Sequence, residues 1–131
     1  PYTTLFRSKI LMMKKRIAIP ISNKLLSEFF GECSYYEIFD IDGVITGHHE
    51  AHFPAGTSVS ELPCWLEEKK ITDVITFRIN PKIIHLFASK KVNLFVGIPI
   101  DSPENLIDAY LKGRLESDER IIKEITLVTE K

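Results

Sequence analysis

The stretch Arg16-Ile17-Ala18-Ile19-Pro20-Ile21 limits the possible folds more than any other, because it is an almost unbroken apolar run with no polar alternation. A strand of this kind is stable only with both faces covered, which demands a sheet with packing layers above and below it. Pro20 sits at the strand's exit, since proline cannot donate to a sheet ladder. We take this run as strand one. After it, Ser22 to Gly31 mixes polar residues with Leu25, Leu26, Phe29 and Phe30, a spacing that allows one helical turn closed by Gly31.

A hairpin follows. Ser34 to Asp42 is rich in aromatic and β-branched residues, and Asp42-Gly43 is a turn signal between it and Val44 to His49, giving strands two and three. His52 to Ser60, with Pro54 and Gly56, reads as a surface loop. Leu62, Trp65 and Leu66 recur at helical spacing, with Pro63 in the first turn and Lys69-Lys70 at the end. Asp73 to Ile79 is strand four, after which Asn80 caps and Pro81 opens a helix with Ile83, Ile84, Phe87 and Ala88 on its apolar face. Asn93 to Ile98 is strand five. Ser102 and Pro103 then start a helix faced by Leu106, Ile107, Tyr110 and Leu111 and stopped at Gly113.

Helical crossovers between strands one, four and five imply a parallel core, and the hairpin adds antiparallel strands on one side. The expectation is a single α/β domain, with helices on both faces of a five-stranded mixed sheet ordered 3-2-1-4-5. Residues 116–131 stay open: Ile121, Ile122 and Ile125 favour a helix, and Thr126, Leu127 and Val128 an extended tail.

The chain's 131 residues suit one domain, and its formal net charge of −1 gives no positive field for duplex DNA or an anionic membrane. No apolar stretch approaches the roughly 18 residues of a membrane span. Two cysteines, Cys33 and Cys64, suit a reducing compartment, hence a cytoplasmic location. Pro1 to Ser8 look like a translated sequencing adaptor, so residues 1–11 are read as a non-native leader before Met12 or Met13. The domain then spans residues 12–115, with a tail over residues 116–131.

In an open sheet, ligands gather beyond the carboxyl ends of parallel strands. Those ends bring together Pro20 to Asn23, Ile79 to Pro81 and Gly97 to Pro99, with the Phe29 to Cys33 loop leaving from the same edge. The candidate binding residues are Ser22, Asn23, Phe29, Phe30, Gly31, Cys33, Asn80 and Pro81; the competing reading is an edge packed shut by Phe29, Phe30 and Phe77. Cys33 is a candidate soft ligand for a metal or an iron–sulfur cluster, or a small buried apolar residue. Cys64 is expected to be buried beside Trp65. Strand alternation puts His48, Glu50 and His52 on one face, so His48, His49 and His52 join Cys33 as candidate metal ligands, against a plain polar hairpin. His85 reads as a boundary residue.

Strand one carries no carboxylate, so the compact acidic centre of two-metal hydrolysis is not readable here. There is no Gly-x-x-x-x-Gly-Lys loop, no Cys-x-x-Cys and no Gly-x-Ser-x-Gly turn.

Four stretches together carry a family resemblance. They are Arg16 to Pro20 with Leu26-Ser27-Glu28 and Phe30-Gly31-Glu32; Tyr35 to Gly43; Leu62-Pro63 with Trp65-Leu66-Glu67; and Asp101-Ser102-Pro103-Glu104 to Gly113. Their order and spacing resemble the dinitrogenase iron-molybdenum cofactor biosynthesis family of small domains. That resemblance implies a ribonuclease-H-like fold and a binding domain rather than an enzyme. Its ligand would be an iron–sulfur cluster or an iron-molybdenum cofactor precursor; the alternative is a metal-independent protein-interaction or regulatory module that has lost cofactor binding. Two departures stand out. The family often has histidine where this chain has Phe29, and a glycine-rich turn where this chain has Phe77-Arg78-Ile79-Asn80-Pro81.

Overall fold

The computed structural model describes residues 14–115; the expected leader and tail lie outside them. In chain order the elements are β1 (Lys15–Ser22), β2 (Leu25–Leu26), β3 (Tyr35–Asp42), β4 (Val44–Ala51), a 3-10 turn (Val59–Glu61), α1 (Leu62–Glu68), β5 (Asp73–Ile75), α2 (Pro81–Ala88), β6 (Asn93–Phe95) and α3 (Pro103–Leu111). One mixed sheet runs β4-β3-β1-β5-β6, with β2 paired to β1 beside that path. β1 pairs antiparallel with β3 and parallel with β5, and β5 pairs parallel with β6. No helix among the described residues is long and apolar enough to cross a membrane.

Strand β1 is covered as its sequence requires. Ile17, Ile19 and Ile21 point to one face with Phe39, Ile75, Leu106 and Ile107, where α3 packs. Ala18 points to the other with Tyr36, Ile38, Leu62, Leu66, Ile83 and Phe87, where α1 and α2 pack. Ile17, Ala18 and Ile19 are all 0% exposed. At roughly 1.5–3 kcal/mol for each large aliphatic side chain removed from water, this strand anchors both layers.

Three expectations need correction. The sheet has six strands rather than five, because the Ser22 to Gly31 segment folds back instead of making a helical turn. Asn23 and Lys24 take φ of 54° and 65°, so Ser22 pairs with Leu25 and Ile21 with Leu26 across a two-residue turn. Positive φ at both central residues is the geometry of a type I′ hairpin, which matches the twist of its strands and which asparagine tolerates well. Strands four and five are also shorter than read, ending at Ile75 and Phe95. Beyond those points the segments still interlock: Thr76 N–H donates to the Phe95 carbonyl, Ile98 N–H to that of Thr76, and Gly97 N–H to that of Phe77.

Candidate functional site

The segment after β2 is fixed by its backbone. Ser27 N–H donates to the Pro20 carbonyl at 2.8 Å, Phe30 N–H to that of Arg78 at 2.9 Å, Arg78 N–H to that of Glu28 at 3.0 Å, and Ser34 N–H to that of Ile21 at 2.8 Å. Phe29 and Arg78 thereby form an isolated parallel bridge. Phe30 is buried against Tyr36 and Phe87, and the Tyr36 hydroxyl donates to the Phe30 carbonyl at 3.1 Å.

Between this loop, the 3-10 turn and α2 lies a cavity of about 710 Å³ lined by Phe29, Phe30, Gly31, Glu32, Ser58, Val59, Ser60, Arg78, Ile79, Asn80, Pro81, Lys82, Ile83 and Leu86. Phe29, Val59 and Leu86 are each about 40% exposed and form an apolar rim. Gly31 is required by closeness rather than by φ: a Cβ there would lie 2.8 Å from Val59 Cγ1 and closer still to Cγ2. Arg78 lies over the Phe77 ring at 5.2 Å, and the polar part of the wall comes from Glu32, Ser58, Ser60, Arg78, Asn80 and Lys82.

The start of α2 offers little to an anion. Pro81 has no N–H, the Asn80 side chain accepts from Lys82 N–H at 2.8 Å, and Ile83 N–H donates to the Asn80 carbonyl at 2.8 Å.

Of the candidate binding residues, Phe29, Phe30, Gly31, Asn80 and Pro81 line this cavity; Ser22, Asn23 and Cys33 do not. Ser22 and Asn23 belong to the β1–β2 turn. The Cys33 side chain packs partly buried against the core of the α1–α2 face. Burial pushes its thiol up to about 11 despite a hydrogen bond with Tyr36, so it is protonated at neutral pH and a metal ligating it would have to displace that proton. Cys64 is exposed rather than buried, since α1 turns Leu62, Pro63 and Leu66 inward. Ser58, Val59, Ser60, Arg78, Lys82, Ile83 and Leu86 were missed by sequence reasoning. Only the exposed apolar Val59 and Leu86, unexplained by any helix face, hinted at them.

The histidines form a separate group on the hairpin. His48 stacks on Phe39 with ring centroids 4.1 Å apart and places Nε2 3.5 Å from Glu37 Oε1. His52 Nε2 is 3.2 Å from Glu50 Oε1. His49 lies on the opposite face, in register with Ile38. Cys33, packed on the α1–α2 face, lies across the sheet from His48, which stacks on Phe39 on the α3 face. Among the described residues, no three His, Cys, Asp or Glu side chains are grouped so as to hold a metal ion. The described residues of the cavity wall include neither thiol nor imidazole, so they do not fit direct ligation of an iron–sulfur cluster or a metallocofactor.

Glu37 is 9% exposed, and its Oε2 is buried without a hydrogen-bond donor. Desolvation raises its carboxyl pKa; His48 opposes the shift, while Glu104 and Glu50 add to it. Because the folded-state value lies above the unfolded one, ionisation of Glu37 opposes folding. The cost is absent where both states are protonated, grows as pH rises past the unfolded value and is complete above the folded value. Glu37→Gln is therefore expected to gain stability over the parent near about pH 7.5, with the gain shrinking toward about pH 4 in urea melts. A difference that stays constant with pH would refute this account.

The model of the family described as Dinitrogenase iron-molybdenum cofactor matches residues 13–113. No curated protein matches. Among solved structures, PH0822 superposes with a TM-score of 0.72 at 24% identity, covering 79% of this chain and 94% of its own. A Methanocaldococcus jannaschii protein gives 0.65 at 18% identity, covering 82% and 97%. The apo form of the orange protein from Desulfovibrio gigas gives 0.64 at 12% identity, covering 79% and 92%. At these identities the structural likenesses establish the fold alone.

Proposed function

Because the chain belongs to the dinitrogenase iron-molybdenum cofactor family, we propose that it is a non-catalytic cytoplasmic binding domain that keeps the family's ribonuclease-H-like frame and captures its ligand without metal–side-chain bonds. The ligand enters the cavity between Phe29, Val59 and Leu86. One observation carries this reading: the wall is largely apolar, its polar groups are Lys82 and Arg78 with Glu32, Ser58, Ser60 and Asn80, and its described residues include no cysteine or histidine. Such a surface suits a molecule or peptide side chain with an apolar body and an acidic end, held by burial and charge.

The second reading keeps an iron–sulfur cluster or iron-molybdenum cofactor precursor as cargo, with ligands drawn from Cys33, His48, His49 and His52, which do not converge here and would have to be brought together by the cargo. Membership of the family favours it. Anaerobic reconstitution with ferrous iron and sulfide separates the two. The expected result is no stoichiometric visible chromophore after desalting, together with one-to-one fluorescence enhancement of 8-anilinonaphthalene-1-sulfonate that is lost in Leu86→Glu. A stoichiometric chromophore that diminishes in Cys33→Ala would establish the cargo reading instead.

A further inference from the structure

Strand β4 is the outer strand of the sheet among the described residues, so one side of its backbone faces no partner strand. Natural edges are commonly blunted by proline, lysine or a bulge. Val44–Ala51 contains neither proline nor lysine, and its one irregularity is the register shift at which Asp40 pairs with Gly47 but Ile41 with Ile45. Thr46 is the extra residue there, and its hydroxyl donates to the Asp40 carbonyl at 3.2 Å. The regular part of the edge is therefore Gly47 to Ala51.

That part borders a carboxylate-rich face. Glu37 on β3 is directly opposite Glu50 on β4, and like charges in this position repel. Glu104, in the first turn of α3, faces the same place, and among the described residues the groups that pair with these carboxylates are the His48 and His52 imidazoles. No lysine or arginine forms an ion pair with Glu37, Glu50 or Glu104 among the described residues. A buried carboxylate oxygen without a donor, Glu37 Oε2, completes the set.

We infer that β4 accepts an extended basic segment of a partner protein as an added strand along Gly47 to Ala51. Backbone pairing supplies affinity, and alternate lysine or arginine side chains answer the carboxylates. At a strand spacing of about 4.8 Å, a cation opposite Glu50 is one strand from it and two from Glu37, within the combined reach of arginine and glutamate side chains. The occupant is a basic strand rather than a second copy of this chain, because pairing β4 with itself would bring two such acidic faces together.

The test uses a fluorescent seven-residue peptide of alternating lysine and valine, and a block peptide of the same composition with its lysines first. The expected result is saturable anisotropy for the alternating peptide and about tenfold slower amide exchange at Gly47 to Ala51 in its presence. Glu50→Lys, an exposed change that leaves the circular dichroism intact, is expected to weaken binding about tenfold. Equal binding of the block peptide, or binding without protection at those amides, would overturn the inference. Concentration-dependent protection of the same amides without any peptide would overturn it too, by assigning the edge to a second copy.

Discussion

Tyr36→Ala is expected to lower folding stability by about 3–5 kcal/mol, the largest effect of any single truncation considered for this chain. Tyr36 is 0% exposed. Its ring sits 5.8 Å from Phe30, 6.0 Å from Phe53 and 5.7 Å from Trp65 between centroids, so removal empties the centre of an aromatic cluster. Those contacts span β3, the cavity loop, the chain beyond β4 and α1, and the surrounding structure cannot collapse into the gap without moving all four. Tyr36→Phe keeps the ring and removes the hydroxyl that donates to the Phe30 carbonyl and bonds Cys33, so it should cost about 1–2 kcal/mol. Urea melts of the two variants check this. A Tyr36→Ala loss no larger than that of Tyr36→Phe would show that the hydroxyl, not packing, matters there.

The second large effect is at Gly31. In Gly31→Ala the new methyl would be driven into both methyls of Val59, a short branched side chain with no flexible end to swing away. Overpacking of this kind costs about 1–3 kcal/mol, and here it also pries the 3-10 turn off the cavity loop. Binding of 8-anilinonaphthalene-1-sulfonate should fall with it. Val59→Ala in the same chain relieves the collision, so the double variant is expected to be more stable than the sum of the single changes predicts. Strict additivity in the double-mutant cycle would sink the claim that these two residues touch.

How much of this was readable beforehand differs from element to element, for physical reasons. β1 announced itself because burial on both faces leaves a continuous apolar run, and both proline-opened helices were legible because their caps are local: Asn80 bonds Lys82 N–H, and the Ser102 hydroxyl accepts from Asn105 N–H at 3.3 Å. β2 was not legible, since two residues carry no periodicity and its turn is built on Asn23-Lys24 without a glycine. The ends of the short strands were misread for a related reason. Thr76 and Val96 are buried beyond them and look like strand in composition, but their pairing is irregular.

Of the cavity's lining, sequence reasoning named Phe29 to Gly31 with Asn80 and Pro81, because strand ends and loop departures follow from topology. It could not supply Ser58 to Ser60, which arrive from a loop whose path no pattern specifies. The histidine spacing gave the shared face of His48, Glu50 and His52 correctly. Whether side chains on a face converge on a point depends on rotamers and partners, and here Phe39, Glu37 and Glu50 engage the imidazoles separately.

The loop from Ser27 to Ser34 is held to the end of β1 and to Arg78 by peptide groups, which every residue type except proline supplies equally. Its path is thus nearly independent of which side chains it displays. A lineage can exchange the residue at position 29, and with it the chemistry offered to a ligand, while the opening keeps its shape. In such a domain the form of the site is inherited separately from its reactivity, and the two can drift apart without the fold registering the change.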